Sequence, residues 1–316
     1  MRAYWRSSVL FLVTFWVLVV FLTGCASEQV IHANAPPASR AEQPPDEQRL
    51  VDVAIAVFAP GLSAEGESIE NSGGYREIRR AEARYLPYTL KKTLDQSGQW
   101  GAVRLVPDSE RSADVLVTGE IVESNGAELS VDVEIRDATG RVWLSRRYSA
   151  LASRYAYLDE HFVEDDPFQA VYNTIANDML AASRNLEDQS LETARSIAEL
   201  RFAADLAPDV FGDYLAEDST GKFVLNRLPA TDDPMLWRAR RIRQRDLMLL
   251  DTLDGYYANF YRDMKPAYRE WLKSSYEESI ELQKVAIERA KSVVRIAIPG
   301  VLLCMALIVY LIVTYM

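Results

Sequence analysis

Asp114-Val115-Leu116-Val117-Thr118-Gly119-Glu120-Ile121-Val122 runs into Asn125-Gly126, and Glu128 to Arg136 follows with Leu129, Val131, Val133 and Ile135 alternating with polar residues. After Asp137 to Gly140 come Val142-Trp143-Leu144 and a polar continuation to Tyr148. Period-two alternation of apolar residues between Asn-Gly and Thr-Gly turns predicts three antiparallel strands in a meander. Upstream, Leu50-Val51-Asp52-Val53-Ala54-Ile55-Ala56-Val57-Phe58 is β-branched and apolar, the mark of a strand covered on both faces. Arg76 to Ser97 reads as a helix, with Ile78, Ala81, Tyr85, Tyr88 or Thr89, and Leu94 at three- and four-residue steps. Gly98 ends it as a cap, and Pro87 inside it should kink or split it. Ala102 to Val106 supplies a further strand, so residues 50–150 form a small α/β module with an antiparallel meander.

The order strand, helix, strand, three-stranded meander resembles the amino-terminal domain of TolB and the core of curli-assembly lipoproteins of the CsgG type. Four segments carry the likeness: Ala54 to Pro60, the helix end Leu94 to Gly98, Ala113 to Gly119, and Ile135 to Val142. The resemblance covers about residues 50–150 and implies an assembly, docking or pore component of a bacterial envelope. After residue 165 the chain departs from that pattern, with no propeller repeat and no amphipathic hairpin pair suited to a barrel.

The amino terminus points to the same compartment. Arg2 and Arg6 precede an apolar run from Val9 to Leu22, and Leu22-Thr23-Gly24-Cys25 closes it. This is the layout of a secretory signal peptide, residues 1–24, and the tetrad resembles the lipobox of bacterial lipoproteins. That likeness makes Cys25 the lipidation site, since a thiolate forms a thioether readily. An uncleaved amino-terminal anchor is the alternative. Ala26, in place of the Asp that resembles an inner-membrane retention signal, favours the outer membrane over the inner. Residues 25–49, with Pro36-Pro37 and Pro44-Pro45, read as a disordered tether. Without residues 1–24 the chain holds 33 basic and 46 acidic residues, a formal charge of −13. So acidic a chain has little attraction for nucleic acid. Cys25 and Cys304 imply no disulfide framework.

The second half reads as helical, giving an α+β chain overall. Residues 151–233 form a helical extension with an irregular connection: Asp166-Pro167 opens one helix lined by Phe168, Val171, Ile175 and Met179, and a second spans about Ser190 to Leu206 before Pro208. Asp233-Pro234 opens residues 234–295, a long helical hairpin or coiled region that Pro266 should break or bend. Residues 296–316 lack charge and, at about 1.5 Å per residue, match a bilayer core. They read as a C-terminal transmembrane helix, with a buried core helix or an oligomer interface as the alternative.

Two clusters bear on chemistry. Asp159-Glu160-His161-Phe162-Val163-Glu164-Asp165-Asp166 has the composition of an oxygen-rich cation loop. It has no second His or Cys nearby, so no metal site and no cofactor is assigned. Arg238, Arg240, Arg241, Arg243 and Arg245 form a basic run, read as a solvated helix face paired with the chain's own acids or as a docking site for an acidic partner. There is no P-loop, dinucleotide glycine pattern or Ser-nucleophile motif, and only two His. The expected function is a non-catalytic envelope lipoprotein, an assembly scaffold or transport accessory. Its partners would be the membrane, through the Cys25 lipid and residues 296–316, and further copies of itself or another envelope protein. The rival expectation is an enzyme with its site at the acidic loop 159–166.

Overall fold

The computed structural model describes the backbone of residues 29–31, 36–43, 45–62, 72–107, 113–158, 166–230 and 232–314, and side chains throughout these except at 29–31, 72–75, 290 and 292–314. The meander forms where the alternation places it: β4 (Val115–Ser124), β5 (Glu128–Asp137) and β6 (Val142–Leu151) pair antiparallel, with Val117 opposite Ile135 and Ile135 opposite Leu144. Each turn is fixed by an acceptor side chain. Asn125 Oδ1 takes the N–H groups of Ala127 and Glu128 at 3.1 and 2.9 Å, and Asp137 Oδ1 takes those of Thr139 and Arg141 at 3.0 and 3.2 Å. Gly126 and Gly140 hold the positive φ that closes these turns.

β2 (Val53–Ala56) is buried at all four residues and lies between β3 (Val103–Val106) and β4, parallel to both. That is the double coverage its unbroken apolar run predicts. The sheet order is β1-β6-β5-β4-β2-β3, with β1 (Gln29–Ile31) added parallel to β6 at one edge. One face is covered by α1 (Ser72–Ser97) and α2 (Gln169–Arg184): Tyr85, Leu86, Leu90 and Leu94 pack on Val53, Ile55, Val117 and Ile135 with Val171, Ile175 and Met179. Pro87 is accommodated without dividing α1. Of the expected stripe of α1, Tyr85, Thr89 and Leu94 are buried and Ile78, Ala81 and Tyr88 half-buried, while Glu82, Leu86 and Leu90 join the buried face.

α3 (Asp188–Leu206), the single turn α4 (Pro208–Phe211) and the hairpin of β7 (Leu215–Glu217) and β8 (Phe223–Leu225) close the end of the sheet below the Thr139–Gly140 turn. α5 then runs unbroken from Pro234 to Thr314. Asp233 caps it, accepting from the N–H groups of Met235 and Leu236 at 2.8 and 3.2 Å. Its Leu236 and Ala239 pack on Leu200, Ala203 and Phe211. Leu250, with Leu247 and Leu253, covers Ala54, Ala56 and Val106 on the sheet face opposite α1. Tyr257, Phe260, Tyr261, Tyr268 and Leu272 then join the core on the α1 side. At the crossing, Asp254 Oδ1 accepts the N–H of Leu105 at 3.2 Å, occupying a donor on the outer edge of β3.

Three expectations change. Of the helical hairpin or coiled region expected over 234–295, the hairpin is excluded: the segment is one helix, because Pro266 gives up one backbone bond while the helix is held by packing on both sides of it. A separate C-terminal transmembrane helix at 296–316 is not an element of this fold. The backbone there, to Thr314, is the end of α5, and among the described residues no helix is long and apolar enough to cross a membrane. The side chains of 292–314, on which that expectation rested, lie outside the described residues. Finally, the described part of 25–49 lies on the module. Gln29–Ile31 pairs with β6, Ser39 N–H donates to Asn177 Oδ1 at 2.8 Å, and Ala41 N–H donates to Ser97 O at 2.8 Å. Arg49 caps the C-terminal carbonyls of α2 through Ser183 O at 2.9 Å and pairs with Asp188.

Candidate functional site

Cys25, both histidines and Asp159 to Asp165 lie outside the described residues, so the acidic loop is represented by Asp166 alone. Asp166 does not cap α2 in the expected way. It makes a local turn, accepting the Phe168 N–H at 2.8 Å, and Phe168 occupies the position before the helix. Desolvation raises its carboxyl above the ordinary range, against the pull of that N–H and of Arg269, Lys265 and Lys92. These groups border a cavity of about 340 Å³ between α1, α2 and α5, with Gln169 Nε2 donating to Thr93 Oγ1 and Asn173 Oδ1 at 3.0 Å each. With Arg40, four cations and one carboxylate line it, so the cavity is basic on balance. The converging acids that an enzyme centred on 159–166 needs are not found among the described residues, nor is any group of three metal-binding side chains.

The basic run divides by helical phase. Arg240 forks onto Glu199 of α3 at 2.5 and 3.0 Å, and Arg243 lies 3.8 Å from Asp114 at the start of β4. Arg238, Arg241 and Arg245 face solvent. The two inward arginines line an open cleft of about 770 Å³ with Arg195, Asp52 and Asp114. Its acids already serve the backbone: Asp114 Oδ2 accepts the N–H of Asp52 at 3.0 Å, and Asp52 Oδ1 that of Ala102 at 2.8 Å. Desolvation raises Asp114 despite the bond from Asp52 and the charge of Arg243. The arrangement fastens α5 to α3 and to the sheet, as expected of a face paired with the chain's own acids, while three arginines stay outside.

The most unusual titratable group was not among the expected sites. Glu82 of α1 is fully buried where α1, α2, α5 and the end of β4 meet. Its Oε1 accepts from the Ser124 hydroxyl at 2.5 Å and from the Tyr268 hydroxyl at 2.8 Å. Arg79 Nε lies 3.7 Å from Oε2. Burial pushes the carboxyl up to about 7, against the lowering effects of Ser124, Arg79 and Tyr268. Oε2 and the hydroxyl of buried Tyr172 have no hydrogen-bond partner among the described residues. Around this point aromatic rings join α5 to α1: Tyr85 lies 4.6 Å from Tyr261 and 4.5 Å from Tyr268, centroid to centroid. The signal was present in the sequence, since Glu82 stands four residues before Leu86 on the apolar stripe.

No family model, curated protein or solved structure matches this chain.

Proposed function

We propose that this chain is a non-catalytic lipoprotein of the bacterial envelope, acylated at Cys25, whose α/β module carries a long helix to a partner. The observation that supports this most is the course of α5. Up to Ile280 its described residues alternate between solvent and contacts with the module, but Glu281 to Arg289 and Lys291 are exposed on every side. The backbone from Glu281 to Thr314 is about 51 Å of helix at 1.5 Å per residue. Helices in water owe most of their stability to packing of an apolar face, and Leu282 and Ile287 are 62% and 53% exposed. A helix of that description gains its packing partner from outside: another copy or a second envelope protein.

The test is photo-crosslinking in cells, with the reactive side chain at Leu282 or Ile287 and, as controls, at Glu217 on β7 and Thr220 in the β7–β8 turn. Adducts at the two helix positions and not at the controls support the reading. A homomeric adduct identifies self-association and a heteromeric one an envelope partner. No adduct at either helix position, from protein that is made and exported normally, overturns it.

A further inference from the structure

We propose that a second copy of this chain packs antiparallel on the outward face of α5, over residues 238–277, about a twofold axis level with Tyr257 and Ala258. It goes beyond the reading above, since this stretch precedes the exposed end of the helix, and it holds whether or not Cys25 is acylated. Between Leu236 and Leu272 one face of α5 packs on the module, through Ala239, Leu250, Tyr257 and Tyr268 among others. The opposite face carries two rows at seven-residue steps, each step being two turns of helix. Arg238, Arg245, Thr252 and Asn259 make one row; Tyr256, Asp263, Glu270 and Glu277 make the other. All eight are exposed.

Charge is segregated along this face. Arg238, Arg241 and Arg245 hold its amino-terminal half, and Asp263, Glu270 and Glu277 its carboxy-terminal half. Of these six only Asp263 has an ion pair among the described residues, with Arg262 at 3.3 Å. An anionic bilayer or an acidic protein would match the first half and be repelled by the second. A copy of the same helix turned end for end matches both. Twofold packing sets residue i against j and j against i, so Arg238 meets Glu277 of the second copy, Arg245 meets its Glu270 and Thr252 its Asp263, each twice. A parallel pair would set arginine on arginine. Exposed ion pairs contribute little each, and here they fix direction and register. Burial comes from Met248, Leu249 and Tyr256 beside the axis, which are 57%, 53% and 67% exposed in the single chain.

Gly255 points the same way independently. It stands inside α5, where glycine is the poorest helix former after proline, and a Cβ placed on it would meet no atom within 4 Å. The packing of one chain therefore gives no reason for a glycine at this position. A second helix crossing within three residues of it does, because a residue without a side chain lets two backbones approach closely.

The test uses the full-length protein in mild detergent, in a Cys304→Ser background. Arg245→Cys with Glu270→Cys in one chain should give a disulfide-linked dimer on mild oxidation, and either substitution alone should give none. Arg238→Glu with Arg245→Glu, and separately Glu270→Arg with Glu277→Arg, should each raise the dimer's dissociation constant about tenfold or more by sedimentation equilibrium. An equimolar mixture of these two variants should pair as tightly as the parent. Gly255→Leu should weaken pairing while leaving the Tm of the monomer unchanged or higher. A parent that is monomeric, whether or not vesicles containing phosphatidylglycerol capture it, overturns the proposal. So does a disulfide from Arg245→Cys alone, a mixture that fails to pair, or pairing indifferent to Gly255→Leu. Dimers that survive every one of these variants also overturn it, and crosslinking at Leu282 and Ile287 then still decides the reading above.

Discussion

Replacing Glu82 with Gln should make the protein more stable at alkaline pH and leave it nearly unchanged in mild acid. Below about pH 4.5, the ordinary carboxyl value, Glu82 is protonated folded and unfolded alike and imposes no penalty. As pH rises towards 7 the unfolded chain loses the proton while the folded chain keeps it, so stability falls by up to about 1.4 kcal/mol per pH unit. Above the folded value of about 7 both states are ionised and the full difference remains, about 3 kcal/mol. Gln keeps an oxygen for the Ser124 and Tyr268 hydroxyls and cannot ionise. Its amide group faces Arg79 in place of the carboxylate, and loss of that pair offsets part of the gain. The groups around the site are Arg79 on α1, Glu123 and Ser124 on β4, Tyr172 on α2 and Tyr268 on α5. Urea denaturation of both proteins at pH 5, 6, 7 and 8 isolates the effect, because Asp114, Asp166 and Asp254, also raised by burial, are common to both. The expected difference grows from under about 1 kcal/mol at pH 5 to between about 1 and 3 kcal/mol at pH 8, or several degrees in Tm. Parallel pH profiles, or a variant less stable than the parent at pH 8, would show that Arg79 compensates the buried charge and refute the reasoning.

Leu250→Ala removes the α5 side chain that closes Ala54, Ala56 and Val106, and should cost about 2–5 kcal/mol in urea denaturation; a loss below 1 kcal/mol would mean that this part of α5 is not held on the sheet. Gly126→Ala puts a Cβ onto the Leu272 carbonyl and the Tyr276 amide in a residue with φ of +75°, so α5 must shift at the β4–β5 turn. The expected cost is at least about 1–2 kcal/mol, with faster proteolysis after Tyr268, and an unchanged digestion pattern would count against the contact. Cys25→Ser should abolish incorporation of labelled fatty acid and leave an unprocessed precursor; labelling at the parent level would show the lipobox reading to be mistaken.

The α/β module was legible in the sequence because its signals are local. Alternation along β5, the Asn125–Gly126 and Thr139–Gly140 turns and the apolar run of β2 each specify an element from residues a few positions apart. α5 was misread where the deciding contacts are distant. Pro266 signals a break, yet the contacts that keep the helix whole reach across the chain, from Leu250 to Ala54 and from Tyr268 to Glu82. Residues 25–49 signalled a tether through composition, but Arg49 and Ala41 find carbonyls on α2 and α1 that no local pattern announces. The basic run was half legible: the spacing of Arg240 and Arg243 puts both on one helical face, and only the fold supplies Glu199 and Asp114 opposite them.

The two edges of the sheet are treated differently, and the difference bears on how such a module works. At the β3 edge, α5 lies across the strand: Asp254 takes the Leu105 N–H, Lys91 pairs with Asp254 at 3.2 Å, and Arg104 pairs with Asp251 at 2.7 Å. That edge is shut by the element that also reaches furthest from the module. At the β6 edge, among the described residues, β1 pairs with Tyr148, Ser149 and Ala150. A pull on the exposed half of α5 acts through Leu272 and Tyr268 on α1 and, through Glu82, on the end of β4. The module thus couples α5 to the sheet through buried side chains. Its buried carboxylate stands at the junction where load from α5 would enter the sheet, so protonation of Glu82 would strengthen the junction itself.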